Sequence, residues 1–439
     1  MIRLARIPLM PRGLLAATSL VLAACGGSDV ILDGEREAVR ASTTRLAAGD
    51  APPALALSEP VANADWTHEN GSATRFAGHV AGSFPLSQIW STSIGRGSSD
   101  KAYITSGPIV ADGRIYAMDA NAQLRALTTG GAPIWTVDLR LTGERTGDGF
   151  GGGVAFGDGV VVAATGFGEV IALEPDTGDI RWRQRLDGPV RAAPTVAGGL
   201  AYVVSRNDQA FGIDLKNGRI RWRTSTVEPE TGIVGGASPA IRSGIVVLPF
   251  ASGEVVGAVA RNGRRAWTAN IPGGRRGTVR SRISDITGDP VIVGNTVYVA
   301  NQSGRFAALD RRSGQRIWSV NEGSAGPALP IGDSVFFVTD TGMLKRLRAD
   351  DGAEIWSVAL GEFENPEKRR TAIVHSGPML VGGRLLIASS DGLMRSLDPT
   401  TGQSLGQTAI GGGGTTVQPA VTNGVVLVLA KNGTLYAFQ

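Results

Sequence analysis

Three histidines are the residues whose type could support metal binding or acid–base catalysis: His68, His79 and His375. A zinc site needs three or four His, Cys or carboxylate ligands at close spacing, and the first two histidines are 11 residues apart in a predicted loop. Ser376 follows His375, but no Ser-His-Asp set can be assigned because many aspartates lie in predicted turns. The sequence therefore predicts no catalytic residue, no metal ligand and no cofactor, and we expect the histidines to be surface or loop-packing residues.

The single cysteine, Cys25, has the most specific chemistry in the chain. Arginines at positions 3, 6 and 12 precede an apolar stretch, residues 14–24, that is too short to span a bilayer as a helix. The stretch ends Leu-Ala-Ala-Cys, which resembles the bacterial lipobox, where the cysteine sulfur takes a diacylglycerol and cleavage leaves the cysteine as the N-terminus. We predict a lipoprotein signal peptide over residues 1–24 and lipidation of Cys25; the alternative is an ordinary secretory signal.

Composition excludes several classes of function. The net charge of the 439-residue chain is +4, and removal of the three arginines of the signal peptide leaves +1. The remaining arginines are scattered and only 6% of residues are aromatic, so nucleic-acid binding is not expected. Since no cysteine follows Cys25, no internal disulfide can form.

A repeat of about 45 residues organises the chain. Its clearest copy, residues 290–318, contains period-2 apolar runs separated by two or three residues with Gly, Asn or Ser, which predicts four short antiparallel strands joined by hairpins. A self-similar period of this length with four strands is typical of a β-propeller. The copies close on tryptophans that we expect to be structural, because a flat apolar ring can wedge between sheets: Trp90, Trp135, Trp182, Trp222, Trp267, Trp318 and Trp356.

The number of blades follows from the C-terminal end of the repeat. Residues 377–405 form one more complete unit, with Leu405 in the place of the tryptophan, and residues 417–439 supply only three strands. The missing fourth strand is available at residues 86–90. We therefore predict an all-β fold, an eight-bladed β-propeller of four-stranded antiparallel blades, closed by N- and C-terminal strands in one blade, which removes exposed sheet edges.

The segment before the repeat divides into two parts. Residues 25–60 begin Cys-Gly-Gly-Ser and continue as a charged run with Ala and Pro, which predicts a flexible tether between the lipid and the fold. The propeller domain is predicted over residues 61–439, with an irregular lead-in over residues 61–83. We expect Trp66, the tryptophan outside the repeat, to be partly buried where the lead-in lies on the propeller.

Two neighbouring segments interrupt the repeat and could bind a partner. They are the link at residues 224–236 and an insertion at residues 271–289 that contains four arginines and two aspartates. Loops on a rigid scaffold are common partner sites, although solvated loops with compensating charges are the alternative. If the loops form one docking patch, its apolar and polar residues are Ile233, Val234, Arg282 and Asp285.

At these loops the chain resembles the BamB family of the outer-membrane β-barrel assembly (BAM) machinery. Residues 282–286, Arg-Ile-Ser-Asp-Ile, are similar to the family's segment before an inner strand, and residues 235–239, Gly-Gly-Ala-Ser-Pro, to a second family motif. The resemblance also covers the lipobox, the lead-in at residues 63–66 and the PQQ-enzyme-like repeat. The chain departs from the family at Val234, where well-known members carry arginine, and at Thr287, where they carry an acidic residue.

The resemblance implies a non-enzymatic scaffold that docks on the periplasmic POTRA domains of BamA and helps unfolded outer-membrane proteins to fold and insert. Ile233, Val234, Arg282 and Asp285 would make the BamA contact, alongside other BAM subunits, with this chain monomeric within the complex. Because Gly26 rather than Asp follows the cysteine, the resemblance to Gram-negative lipoproteins implies lipid anchoring at the periplasmic face of the outer membrane.

Two alternatives differ in kind from this scaffold. Quinoprotein alcohol dehydrogenases share the repeat, but they place an adjacent cysteine pair beside the quinone and carboxylates on calcium, and this chain has one cysteine. An adaptor for a different envelope partner would have the same fold and differ only in what co-purifies with it.

Overall fold

The structure, a computed structural model, forms an all-β ring of eight four-stranded sheets. It describes residues 52–144, 149, 151–190, 192–227, 236–273, 285–302 and 304–439. Within these ranges no helix is long and apolar enough to cross a membrane. The prediction of an eight-bladed β-propeller is confirmed.

The blades are numbered in chain order, and each is given from its inner to its outer strand. Blade 1 consists of Ile109–Ala111, Arg114–Met118, Gln123–Thr128 and Pro133–Asp138, and blade 2 of Gly152–Gly157, Val160–Thr165, Glu169–Leu173 and Ile180–Arg185. Blade 3 consists of Thr195–Ala197, Leu200–Val204, Gln209–Asp214 and Ile220–Ser225, and blade 4 of Ala240–Arg242, Ile245–Pro249, Glu254–Val259 and Arg265–Asn270. Blade 5 consists of Ile286–Val293, Thr296–Asn301, Phe306–Asp310 and Arg316–Val320. Blade 6 consists of Leu329–Ile331, Ser334–Val338, Met343–Arg348 and Glu354–Ala359, and blade 7 of His375–Val381, Arg384–Ser389, Leu393–Leu397 and Ser404–Ala409. Blade 8 is Ala420–Thr422, Val425–Leu429, Thr434–Phe438 and Gln88–Ser93. A two-residue strand, His79–Val80, pairs in parallel with blade 7, and Phe363–Asn365 with Arg370–Ala372 forms a separate hairpin.

Burial along the strands follows from the stacking of blades around the ring. Middle strands are covered on both faces by neighbouring blades, so that Val160–Thr165 is buried at every position and its sequence is a continuous apolar run. Outer strands are covered less, and Ile180–Arg185 alternates between exposed and half-buried residues. The hydrophobic clusters lie between adjacent blades, as between blades 1 and 2 and between blades 2 and 3.

The repeat tryptophans lie at these junctions. Trp222 of blade 3 donates its Nε1 hydrogen to the carbonyl of Ala260 in the outermost turn of blade 4, at 2.8 Å. Its ring packs against Gly263, where a Cβ would lie 2.5 Å from the indole and where φ is +69°, so only glycine fits. The same bond recurs for Trp135, Trp182, Trp267, Trp318 and Trp356, each to the next blade. Trp90 lies against Gly131 of blade 1.

The two ends of the ring meet in blade 8. Gln88–Ser93 pairs antiparallel with Thr434–Phe438, and Ser87 and Gln439 exchange two backbone hydrogen bonds of 2.9 Å. The predicted closure by N- and C-terminal strands in one blade is therefore confirmed. Every blade then has two neighbours, and the ring has no terminal sheet.

The lead-in forms a belt, defined here as residues 61–83, that visits all eight blades in order. Its residues bond or pack against blade 8, then blades 1 to 5, then blades 6 and 7. Phe76 packs against a hydrophobic cluster that contains Leu329 of blade 6. The other contacts are hydrogen bonds: Asn63 O with Asn423 N, the backbone of Trp66 with that of Val110, Thr67 O with Phe156 N, His68 Nε2 with Val196 N, Ala73 O with Ile241 N, Thr74 O with Ile292 N, and Val80 O with Gly382 N. Trp66 is 1% exposed, more deeply buried than the sequence analysis predicts.

Candidate functional site

The docking patch predicted from the sequence is described only in part. Ile233, Val234 and Arg282 lie outside the described residues, as does the predicted lipidation site Cys25. Asp285 is described, directly before the inner strand of blade 5. The structure therefore gives the geometry of the patch at its acidic residue.

Asp285 is buried and forms an ion pair with an arginine of another blade. Its Oδ2 lies 3.3 Å from Nη1 of Arg206, which follows the second strand of blade 3. The side chain of Asp285 is 4% exposed and that of Arg206 is 23% exposed. The guanidinium is therefore the more accessible partner, and sequence reasoning missed it because Arg206 belongs to an ordinary blade turn 79 residues away.

The two family-like motifs are brought together at the inner strands of blades 4 and 5. Ala237 of the Gly-Gly-Ala-Ser-Pro motif and Ile286 of the Arg-Ile-Ser-Asp-Ile motif belong to one hydrophobic cluster. The backbone N–H of Ser238, in the former motif, donates to Oδ1 of Asp289, three residues beyond the latter, at 2.7 Å. The prediction that Asp289 lies in the inserted loop is wrong. Asp289 lies within the strand Ile286–Val293, whose pairing with the next strand has two register irregularities, and its side chain is 10% exposed.

A second polar cluster, the axial cluster, joins Asp289 to the belt and consists of Glu69, Arg75 and Asp289. Arg75 has a fully buried side chain, and its Nε lies 3.9 Å from Oδ2 of Asp289. The guanidinium also donates to the carbonyls of Pro239 and Pro194 and to Thr195 Oγ1, at 3.0, 3.1 and 2.6 Å. Glu69 accepts the N–H of Gly107 of blade 1 at 3.0 Å.

Burial governs the protonation of the axial cluster. Burial, with the charge of Asp289 as the second cause, raises the pKa of Glu69 to about 7, although Arg75 and the Gly107 N–H favour the charged form. Burial also raises the pKa of Asp289 against the opposing effect of Arg75, and it lowers the pKa of Arg75. The single positive charge of Arg75 therefore faces two carboxyl groups, and it can balance only one carboxylate. When Glu69 is protonated, Arg75 and the Asp289 carboxylate give the cluster no net charge.

We expect the ionisation of Glu69 to lower the free energy of unfolding as pH rises from about 5 to 8. The pKa of Glu69 in the folded protein, about 7, lies above the ordinary glutamate pKa of 4.5, so the stabilising effect of the proton is fully present below pH 4.5 and is lost as pH rises through 7. The slope reaches at most about 1.4 kcal/mol per pH unit. His68 and His375 act in the opposite direction below pH 6.5, because burial lowers their pKa values.

The measurement is a series of chemical denaturation curves for the wild type and Glu69→Gln at each pH. The difference between the two proteins isolates Glu69 from the histidines, and it is expected to shift in favour of the variant as pH rises. A difference that stays constant from pH 5 to 8 would mean that Glu69 is ionised throughout.

The histidines are packing residues at the belt and at blade 7. Nε2 of His68 accepts the N–H of Val196 at 3.0 Å, and Nε2 of His79 accepts the N–H of Gly383 at 2.8 Å. His375 bonds the Ser389 hydroxyl and the Gly361 carbonyl, both at 2.8 Å. Among the described residues, no group of three His, Cys, Asp or Glu side chains could hold a metal ion.

Comparison with known proteins finds a protein family whose model matches most of the chain. A family model described as outer membrane protein assembly factor BamB matches residues 120–358 and 340–439. Outer membrane protein assembly factor BamB of Salmonella typhimurium is 27% identical over 370 residues, covering 82% of this chain and 90% of the relative. The protein of the same name from Escherichia coli K12 is 26% identical over the same length and coverage.

Solved structures share the fold. The crystal structure of BamB from Moraxella catarrhalis has a TM-score of 0.68 and 21% identity, covering 81% of this chain and all of that chain. Quinohemoprotein alcohol dehydrogenase from Comamonas testosteroni has a TM-score of 0.64 and 15% identity, covering 85% of this chain and 80% of that one. The fold is therefore shared with both an assembly factor and an alcohol dehydrogenase, and the architecture alone does not choose between these functions.

Proposed function

Since the chain belongs to the family of outer membrane protein assembly factor BamB, we propose that it is a non-enzymatic scaffold of the BAM complex. In this proposal it docks on the periplasmic POTRA domains of BamA, binds alongside other BAM subunits, and assists the folding and insertion of unfolded outer-membrane proteins. The observation that carries the proposal is the meeting of the two family-like motifs at one end of blades 3 to 5. There Ser238 bonds Asp289, and Asp285 is paired with Arg206.

We propose different roles for the two members of that ion pair. A carboxylate that is 4% exposed offers little surface to a partner, whereas Arg206 is accessible beside it. Arg206 would then contact an acidic or carbonyl group of BamA, and Asp285 would position the guanidinium. Charged side chains held in this way contribute strongly to interfaces, because little conformational freedom is lost on binding. Ile233, Val234 and Arg282 remain proposed contacts of the same patch.

We expect Arg206→Ala and Asp285→Asn each to weaken binding of BamA POTRA domains by about tenfold, roughly 1.4 kcal/mol. The double variant is expected to lose less affinity than the sum of the two single losses, because the carboxylate would act in part through the arginine. Titration of the full chain with isolated POTRA domains, followed by calorimetry, measures all four affinities. Additive losses would assign Asp285 a contact of its own.

The matched control is the exposed pair Arg348 and Asp351 in the outermost turn of blade 6, at the opposite end of the strands. Arg348→Ala is expected to leave POTRA binding unchanged. Normal affinity after Arg206→Ala combined with Ile233→Asp would contradict the proposed patch. Recovery from solubilised envelopes of other partners without BamA would instead favour the alternative adaptor function.

We also propose that Cys25 carries the lipid anchor, with residues 1–24 as the signal peptide and residues 25–60 as the tether to the propeller domain. The support is the Leu-Ala-Ala-Cys sequence and the family of the propeller that follows it. Acyl chains at Cys25 would hold the protein at the periplasmic face of the outer membrane and raise its local concentration near BamA. Cys25→Ser should abolish incorporation of labelled palmitate and release the protein from membranes.

A further inference from the structure

A wide groove separates blades 3 and 4 at the end of the ring away from Arg206 and Asp285. It lies between the hairpins that join the first and second strands of these blades and has a volume of about 900 Å³. Apolar side chains of both blades form its floor, among them Leu200, Tyr202 and Ile241. The exposed charged side chains at its rim are basic, namely Lys216, Arg221, Arg242 and Arg261.

The corresponding groove between blades 6 and 7 is filled by the chain itself. Residues 53–58 lie there, and Leu55 and Leu57 pack against the hydrophobic cluster that contains Phe336 of blade 6 and Leu380 of blade 7. The residues between and beside the leucines, Ala54, Ala56 and Ser58, are exposed. This alternation is that of an extended segment with one face on the protein.

Polar contacts hold the same segment in place. Arg346, whose side chain is fully buried, donates to the carbonyl of Pro53 at 3.0 Å, and His79 bonds the carbonyl of Ser58 at 2.6 Å. The segment belongs to the proposed tether, so the last residues of the tether are docked on the propeller before the belt begins. The chain thus shows what this kind of groove binds: an extended peptide with apolar side chains at alternate positions.

The two grooves are built on equivalent positions. Tyr202 pairs with Gly212 and Gly212 with Trp222, as Phe336 pairs with Arg346 and Arg346 with Trp356. By the same register, Gly198 of blade 3 corresponds to Gly332 of blade 6. A Cβ on Gly332 would lie 3.3 Å from the Ala56 carbonyl oxygen, whereas one on Gly198 meets nothing within 4 Å.

The positive charge at the rim of the groove between blades 3 and 4 favours acidic peptides. Arg221 is bound to Asp214 through Nε at 2.7 Å, but no ion pair joins Lys216, Arg242 or Arg261 to another side chain in the described parts of the chain. Among the described residues, these three cations therefore surround the apolar floor without an ion pair, and the carboxylate that lines the groove, Asp214, is bound to Arg221. Acidic side chains on the exposed face of a bound peptide would lie close to them and gain Coulomb energy.

We propose that the groove between blades 3 and 4 binds an extended peptide segment of a partner protein, with leucine-like side chains at alternate positions and acidic side chains between them. The peptide would lie as residues 53–58 lie between blades 6 and 7, with its apolar side chains on Ile241 and Val259, which are the half-buried apolar residues of the floor. The site is separate from the Arg206 and Asp285 patch, so it stands whether or not that patch binds BamA.

The test uses fluorescein-labelled peptides and the full chain in detergent micelles. The acidic probe is Pro-Pro-Glu-Leu-Glu-Leu-Ser, which is residues 52–58 with Glu in place of Ala54 and Ala56. One comparison probe carries Lys in place of both Glu, and the other carries Ser in place of both Leu. Fluorescence anisotropy gives the affinity of each. The acidic probe is expected to bind saturably and at least about tenfold more tightly than either comparison probe.

Charge reversal locates the site. The combined variant Lys216→Glu, Arg242→Glu and Arg261→Glu is expected to weaken the acidic probe about tenfold or more, since three exposed attractions become repulsions. The matched control reverses three exposed arginines elsewhere, Arg312, Arg316 and Arg370, and is expected to leave the affinity unchanged. Both variants alter only exposed side chains, and equal melting temperatures verify their folding.

Four outcomes would overturn the proposal. They are no saturable binding of the acidic probe, equal binding of the lysine probe, equal weakening by the control variant, and binding that the groove variant leaves intact. Binding of phosphatidylglycerol vesicles that the groove variant abolishes, in the absence of peptide binding, would assign the basic rim to a lipid surface. Self-association that the groove variant abolishes, again without peptide binding, would assign the groove to a second copy of the chain.

Discussion

Replacing Arg75 by methionine is expected to lower the free energy of unfolding by about 3–5 kcal/mol, the cost of removing one partner from a buried ion pair. Arg75 is the guanidinium that faces Glu69 and Asp289, and its side chain is fully buried. Methionine has a similar length but supplies neither the charge nor the donors to Pro239, Pro194 and Thr195. Guanidinium denaturation followed by tryptophan fluorescence measures the loss.

Two further variants separate the charge from the shape of the side chain. Arg348→Met, at an exposed arginine paired with Asp351, is expected to cost less than about 1 kcal/mol. Adding Glu69→Gln and Asp289→Asn to Arg75→Met should recover part of the lost stability, because no buried carboxylate remains without a cation. Wild-type stability of Arg75→Met at pH 8, where Glu69 is ionised, would contradict the role given to the axial cluster.

Replacing Trp66 by alanine is expected to destabilise the fold by about 3–5 kcal/mol, as for other large buried aromatic residues. Trp66 packs in the cluster formed by blades 7, 8 and 1, and its backbone exchanges two hydrogen bonds with Val110, at 2.7 and 2.9 Å. Loss of the indole should loosen the belt before the propeller unfolds. Limited proteolysis within residues 61–83 should therefore become faster than cleavage of the blades.

A phenylalanine scan distinguishes Trp66 from the repeat tryptophans. The Nε1 of Trp66 is buried without a hydrogen-bond partner among the described residues, whereas Nε1 of Trp222 donates to Ala260 at 2.8 Å. Trp66→Phe removes an unsatisfied donor and should cost less than about 1.5 kcal/mol. Trp222→Phe leaves a carbonyl unpaired and creates space beside Gly263, so it should cost more; the reverse order would contradict this account.

The blades were predictable from the sequence because the interactions that define them are local. Each hairpin needs only alternating apolar residues and a turn, and each repeat tryptophan precedes a turn glycine of the next repeat by 34 to 47 residues. Closure was predictable by counting, since a three-strand remainder at residues 417–439 requires a fourth strand from elsewhere.

The belt and the axial cluster were not predictable in the same way. Asn63 bonds the carbonyl of Val421 across 358 residues, and successive belt residues contact successive blades with no period of their own. Arg75 has a φ of +59° and three acceptors on two blades, a combination that leaves no pattern in one sequence. Asp285 was singled out from the sequence, but its burial beside Arg206 depends on a contact between blades 3 and 5.

The belt determines how the ring would bear a mechanical load applied at its N-terminal side. A pull on residue 52 acts first on residues 53–58 between blades 6 and 7, and then on a segment bonded to blades in every part of the ring. Such bonds are loaded together, in shear, rather than broken one at a time as when an edge strand is peeled from a sheet. Tension from the N-terminal side would therefore be distributed around the circumference, and it would reach last the strand Gln88–Ser93, which follows the belt in the chain and closes blade 8.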